Sequence, residues 1–352
     1  MITINPFEPY YRLDESSYAK GPLDAVFVLQ WVAILLVLRE YTIRWLLRPL
    51  GKQLVSMNTS QKERHKNIAR FTEQSWSCLY YMFFWSWGMS LVLKSPFSPL
   101  YDDWTQHFWL DYPHTKMNKI NKIYYLAQAA FWVQQLFVLN IEKRRKDHWQ
   151  MFTHHCITVS LVVSSYVTNY TRVGQAILVT MDQSDIFLDV SKAQSYTHSL
   201  TFIQGAKVLK YMGWEKLCDA TFLAFMFSWV FTRQIVFGRI IWSVWVEAPL
   251  HIQHLWEPSV GHYYSYALHR LFLGLLLGLQ FILFFWLILI IKVAIKFVRS
   301  NNVEDIRSDD EEDSEDSNTA LQNKTPSPSF ADPMSTSSST SSSQYNQEVR
   351  KR

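Results

Sequence analysis

The chain has 352 residues, 49% of them apolar, and a formal net charge of +4, enough length for one large domain or two small ones. Three cysteines, Cys78, Cys156 and Cys218, all lie in or beside apolar stretches without paired spacing, which argues against a disulfide framework or a zinc ribbon and makes them small buried hydrophobes. Bulk apolar content does not by itself announce a membrane protein, but its distribution does: the last fifty or so residues are almost wholly polar, and the 15 Trp suit a chain with many membrane–water boundaries.

In chain order, Met1 to Gly21 is polar and Pro-containing and does not read as a cleavable signal peptide. Seven stretches of roughly 20 residues then qualify as candidate spans. They run from about Leu23 to Leu47, Ser75 to Lys94, Ile123 to Leu139, Met151 to Asn169, Val173 to Tyr196, Leu217 to Ile241 and Leu271 to Val298. The first, second and seventh are clear. The third to sixth carry polar residues, and a polar group in hydrocarbon must face a protein interior or a wet cavity, so four adjacent impure helices predict a bundle built around a site. Basic residues gather between spans one and two, three and four, five and six, and after the last. With seven spans these regions share one side, which predicts a lumenal amino terminus and a cytosolic carboxyl terminus. A sequon at Asn169-Tyr170-Thr171 falls in a very short lumenal loop, too close to the membrane for glycosylation. The tail from Asn301 is acidic and then Ser/Thr/Pro-rich, so it reads as unfolded, with Ser308 and Ser314 placed for an acid-directed kinase.

The segment from Lys143 to Tyr196 holds the chemistry. A basic cluster, Lys143-Arg144-Arg145-Lys146, precedes His154 and His155 near the start of span four. Span five returns with Asp182, Asp185 and Asp189, three and four residues apart and hence on one helix face, and Lys192 extends that stripe. Counting 1.5 Å per residue from the hairpin at Asn169 brings His154 and Asp185 to a similar depth. Two imidazoles facing acids inside a membrane are costly unless they have work to do. A carboxylate bonded to one ring nitrogen would fix the tautomer and raise the basicity of the other, equipping the pair to deprotonate an amine or hydroxyl attacking an acyl carbonyl, or to carry the acyl group. The HxxxH and HxxHH boxes of di-iron enzymes are missing, and adjacent His residues without Cys ligands make a poor zinc site, so no metal is expected.

The elements Arg145-Lys146-Asp147, Met151-Phe152-Thr153-His154-His155 and Met181-Asp182-Gln183-Ser184-Asp185, with the upstream run Tyr124-Tyr125-Leu126 to Gln135, resemble the signature of ceramide synthases within the TRAM/LAG1/CLN8 (TLC) family, fungal in style. The resemblance covers residues 68–299. It implies an all-α polytopic fold, a six-helix barrel around a long acyl cavity with one extra first span outside. It implies transfer of a fatty acyl group from acyl-CoA, as co-substrate, to the amine of dihydrosphingosine or phytosphingosine in the endoplasmic reticulum, with His154, His155, Asp182 and Asp185 as the matching catalytic residues. Lys143, Arg144, Arg145, Lys146, Lys192, Lys207 and Lys210 are then candidates for the CoA phosphates at the cytosolic mouth. The loop from Trp242 to His269 is associated in the family with chain length. No further cofactor and no nucleic acid are implied; membrane lipids, a small single-span regulatory subunit and a homodimer or heterodimer with a paralogue are. The expected organisation is 1–67 as a lumenal terminus, first span and basic loop, 68–299 as the catalytic domain, and 300–352 as the tail. The alternative is a non-catalytic family member, translocon-associated or lipid-sensing, which would need neither the His pair nor the Asp stripe.

Overall fold

A helix covers each of the seven apolar stretches to within two residues in the protein, whose computed structural model describes residues 5–55, 60–141, 147–197 and 214–299. The acidic tail, with Ser308 and Ser314, falls outside the described residues. Helix α1 is Asp24–Leu54, interrupted by a π turn at Ile43–Leu47; α2 is Gln61–Leu93; α3 is Lys119–Ile141; α4 is His148–Val167; α5 is Thr171–Thr197. Helix α6 starts as Trp214–Val230 and continues through π turns at Phe231–Val236 and Ser243–Glu247 to Ala248–His251. Helix α7 is Tyr266–Arg299.

Two boundaries differ most from expectation. Helix α2 begins fourteen residues ahead of its apolar run, because Ser60 accepts a hydrogen bond from the Glu63 amide (3.3 Å) in a Ser-x-x-Glu cap that starts a polar helix no hydropathy pattern reveals. Helix α6 runs past Ile241 because its π turns widen the coil without ending it, and it stops only after Pro249. Among the described residues, three helices are long and apolar enough to cross a membrane by length and composition: α1, Ala220–His251 of α6, and Tyr266–Ile295 of α7. The second stretch is thus less clear than expected and the sixth clearer. Trp76, Tyr80, Tyr81, Trp85 and Trp87 depress the hydropathy of α2, whereas the charges of α6 are few and widely spaced.

Residues Met1–Arg299 form one compact unit. Within it α2 packs on α3 and α5, α4 on α3 and α7, and α6 on α5 and α7, while α1 lies against α3. Helices α2, α3 and α5 come close together at Gly88, where an added Cβ would fall 2.6 Å from Val179 Cγ2 and closer still to the buried Tyr124 hydroxyl. Gly88→Ala is therefore expected to destabilise the bundle by about 1–3 kcal/mol, read as a lowered unfolding temperature in detergent.

The end of the bundle nearest the α4–α5 hairpin is capped by three segments. The amino-terminal segment pairs Ser17–Tyr18 with Met117–Asn118 as a small antiparallel sheet, β1–β2. Glu8, held below the ordinary carboxylate range by hydrogen bonds from Lys119 and Tyr18, ties the same segment to the start of α3. The loop after α2 anchors on α6, with Trp109 Nε1 donating to Ser243 Oγ (2.7 Å) and Thr105 Oγ1 to Glu247 Oε1 (3.1 Å). A hairpin, β3 (Leu255–Glu257) and β4 (His262–Tyr264), leads into α7.

Asn169 fastens these parts together. It turns the α4–α5 hairpin in the left-handed region (φ 67°), accepts a hydrogen bond from Lys20 Nζ (2.7 Å) and donates to the Gly261 carbonyl (2.8 Å). Its side chain is buried, so the sequon serves as a structural clasp in this fold.

Candidate active site

Helices α4 and α5 bring His154 and Asp185 to the wall of one cavity, as the residue count from the hairpin predicts. The cavity comprises about 890 Å3 of atom-free space including its mouth. From the level of Asp185 to that of Val173 on α5 it extends about 18 Å at 1.5 Å per residue. Its middle is lined by apolar side chains such as Leu161, Ile177 and Leu276, and its far end by Tyr170, Tyr264 and Phe272 beneath the cap. Polar groups therefore concentrate at the two ends of an otherwise apolar channel, a form suited to a long hydrocarbon chain bearing one reactive head.

The His pair is buried in an aromatic setting. His154 lies between Trp132 and Trp286, with ring centroids 6.0 and 5.2 Å away, and His155 lies 5.5 Å from Trp132. The two imidazoles are 5.6 Å apart. His154 lines the cavity; His155 does not. The Nδ1 atoms of both are buried without a hydrogen-bond partner, as is the Nε1 of Trp132.

The acids are held differently from expectation. Among the described residues no hydrogen bond joins either imidazole to Asp182 or Asp185. Asp182, fully buried, accepts from Gln128 Nε2 (2.7 Å), and Gln128 is itself fixed by the hydroxyl of Tyr80 (2.9 Å). Asp185 is ion-paired to Arg233 Nη2 at 2.6 Å. A three-residue step on a helix leaves side chains about 60° apart, enough to aim one acid at α3 and the other at α6. The carboxylate–imidazole bond inferred from spacing is thus replaced by two separate clamps. Asp189 is also buried, and Lys192, two turns beyond Asp185, is half-buried. Lys143, Arg144, Arg145, Lys146, Lys207 and Lys210 lie outside the described residues.

Sequence reasoning missed Arg233 and Gln128. The signal for Arg233 was present: an arginine in the middle of an apolar helix has to face a protein interior or a wet cavity. It stands on the π turn of α6, 3% exposed, with its guanidinium carbon 4.1 Å from the Trp229 ring centroid. Gln128 gave no signal, because a lone amide in an apolar helix specifies no partner. Cys78 and Cys156 are free, half-buried thiols that take no part in this site.

The TLC domain family matches residues 70–292 of the chain. The chain is 35% identical to sphingosine N-acyltransferase lag1 of Schizosaccharomyces pombe, an alignment covering 92% of this chain and 78% of that protein. It is 34% identical to ceramide synthase FUM18 of Gibberella moniliformis (85% and 70% covered) and 31% identical to ceramide synthase LAG1 of Saccharomyces cerevisiae (86% and 68% covered).

Proposed function

The chain belongs to the TLC domain family, and on that footing we infer that it is a ceramide synthase, which transfers a fatty acyl group from acyl-CoA to the amine of a sphingoid base. The observation that carries this reading beyond the family match is a buried imidazole at one end of a long apolar cavity, in a bundle whose acids are fixed beside it.

The acyl chain occupies the channel and its thioester lies at His154. The sphingoid amine approaches the carbonyl carbon there. His154 takes the proton that the amine sheds on forming the amide, or accepts the acyl group first and passes it on. His155 and Trp132 wall in that imidazole, and Gln128–Asp182 and Arg233–Asp185 set the charge around it. The CoA phosphates meet Lys192 and the basic residues 143–146, 207 and 210. The substrates are then acyl-CoA and dihydrosphingosine or phytosphingosine.

The wider architecture follows from the same reading. Seven spans place the amino terminus in the lumen and the carboxyl terminus in the cytosol of the endoplasmic reticulum. Helices α2 to α7 form the six-helix barrel, supported by the packing order α2–α3–α4–α7–α6–α5 and back to α2. The remaining helix, α1, stands outside against α3, and a single-span subunit or a second synthase copy would associate from the lipid side.

Occupancy of the channel is tested by narrowing it. Ile177 lines the cavity about 12 Å along α5 from Asp185, two turns and more toward the cap. Ile177→Trp is expected to shift the preferred acyl-CoA to shorter chains by several carbons while leaving short-chain transfer active. A ladder of acyl-CoAs with dihydrosphingosine and mass detection of the amide reads this. An unchanged chain-length profile would place the acyl group elsewhere.

A further inference from the structure

Arg233 has a donor group that the fold does not use. A guanidinium carries five N–H donors in a rigid fork. Arg233 Nε donates to Ser184 Oγ (2.6 Å), and Nη2 donates to the Met181 carbonyl (3.1 Å) and Asp185 Oδ1 (2.6 Å). Nη1 bonds to nothing among the described residues, although the side chain is buried and lines the cavity that His154 also lines. Among the described residues that line the cavity, Arg233 is the only Arg or Lys. The backbone is pinned as well, since Gln280 Nε2 of α7 donates to the Arg233 carbonyl (3.2 Å) within the π turn. A purely structural buried arginine normally has its donors satisfied. Here three donors are spent on immobilising the fork, and Nη1 is left without a protein partner among the described residues, on a side chain that lines the cavity.

Resting on the acyl-transfer reading, we propose that Arg233 is a catalytic residue whose Nη1 binds the acyl carbonyl oxygen and stabilises the oxyanion of the transfer step. When the amine lone pair forms the new N–C bond, the C=O π pair moves onto oxygen. That charge develops in a site with little water, where a fixed cationic donor that need not reorganise is most effective. On collapse the oxygen pair re-forms C=O, the C–S bond breaks, and CoA leaves as thiolate. The proton shed by nitrogen is carried by His154 to that thiolate. If transfer proceeds through acyl-imidazole, the same donor serves both tetrahedral stages. Asp185 becomes a positioning residue: it neutralises the buried guanidinium and holds the fork in one orientation, which accounts for its pairing with Arg233 in place of an imidazole.

The test compares wild type, Arg233→Gln and Arg233→Lys with two donors of the same chain length, acyl-CoA and its dithioester, in which sulfur, a poor hydrogen-bond acceptor, replaces the carbonyl oxygen. Arg233→Lys keeps a cation for Asp185, so it guards against a variant that merely fails to fold. For acyl-CoA, kcat is expected to fall about 10²–10³-fold in Arg233→Gln and at least about tenfold in Arg233→Lys, with KM little changed. The two perturbations must also couple: the sulfur substitution slows wild type strongly but adds little in either variant. Independent, multiplying effects of variant and substrate would overturn the proposal, as would a rise in KM with kcat intact, which marks a ground-state anchor. Wild type that makes no amide while folded sinks the acyl-transfer reading itself. Active wild type, inactive His154→Ala and an Arg233→Gln enzyme within a fewfold of wild type sink this inference alone.

Discussion

His154→Ala is expected to lower amide formation by about 10²–10⁴-fold, the range contributed by a positioned acid–base group, and by more if the imidazole also carries the acyl group. The expectation rests on position. His154 is the member of the His pair that lines the cavity, and aromatic rings pack against it on both sides, so no other imidazole can swing into its place without repacking Trp132 or Trp286. Its Nδ1 makes no bond to the protein, so the deletion removes no hydrogen bond at that atom. The loss should accordingly appear in kcat per mole of folded enzyme, beyond any loss of folded protein caused by removing a ring packed between two Trp side chains. A variant that loses activity only in proportion to lost folded protein would assign His154 to packing.

The second large effect is on stability, at the capped end. Lys122, with no exposed surface, is ion-paired to Asp24 at 2.8 Å and donates to the carbonyls of Tyr10 (2.8 Å) and Ala19 (2.6 Å). Asp24 also accepts from the Tyr166 hydroxyl (2.7 Å) and the Gly21 amide (3.0 Å). One pair thereby joins α1, α3, α4 and the amino-terminal segment. Asp24→Ala strands a buried ammonium beside these carbonyls, and such single removals cost about 3–5 kcal/mol. The expected result is a fall of several degrees in unfolding temperature in detergent. Replacing both partners, Asp24→Asn with Lys122→Met, should recover much of the loss, because no uncompensated charge remains. A single variant as stable as wild type would show that water already reaches Lys122.

Apolar runs of about 20 residues mark all seven helices, because length and hydropathy are local properties. Their ends were less legible. The Ser60 cap of α2 and the π turns of α6 depend on backbone hydrogen bonding rather than on hydropathy, and Trp and Tyr made α2 score below its actual length. At the site, the common depth of His154 and Asp185 could be counted from the hairpin at Asn169. The partners of the acids could not. Gln128 lies 54 positions before Asp182, and Arg233 lies 48 after Asp185, so only the packing of α3 and α6 against α5 brings them in. Spacing within one helix says which residues share a face, but its 60° offsets are coarse against the aim of a short side chain. Lys122 was obscured in another way: before an apolar stretch it reads as a membrane-flanking lysine, and its partner Asp24 lies nearly a hundred residues upstream.

The most direct measurement follows both products of the reaction. Purified chain is given one acyl-CoA and dihydrosphingosine, and released CoA thiol and N-acylated base are quantified over the same interval. Equal amounts of each, absent with His154→Ala, are predicted. Thiol released without amide, or amide formed by His154→Ala at the wild-type rate, would contradict transfer to the amine at this imidazole.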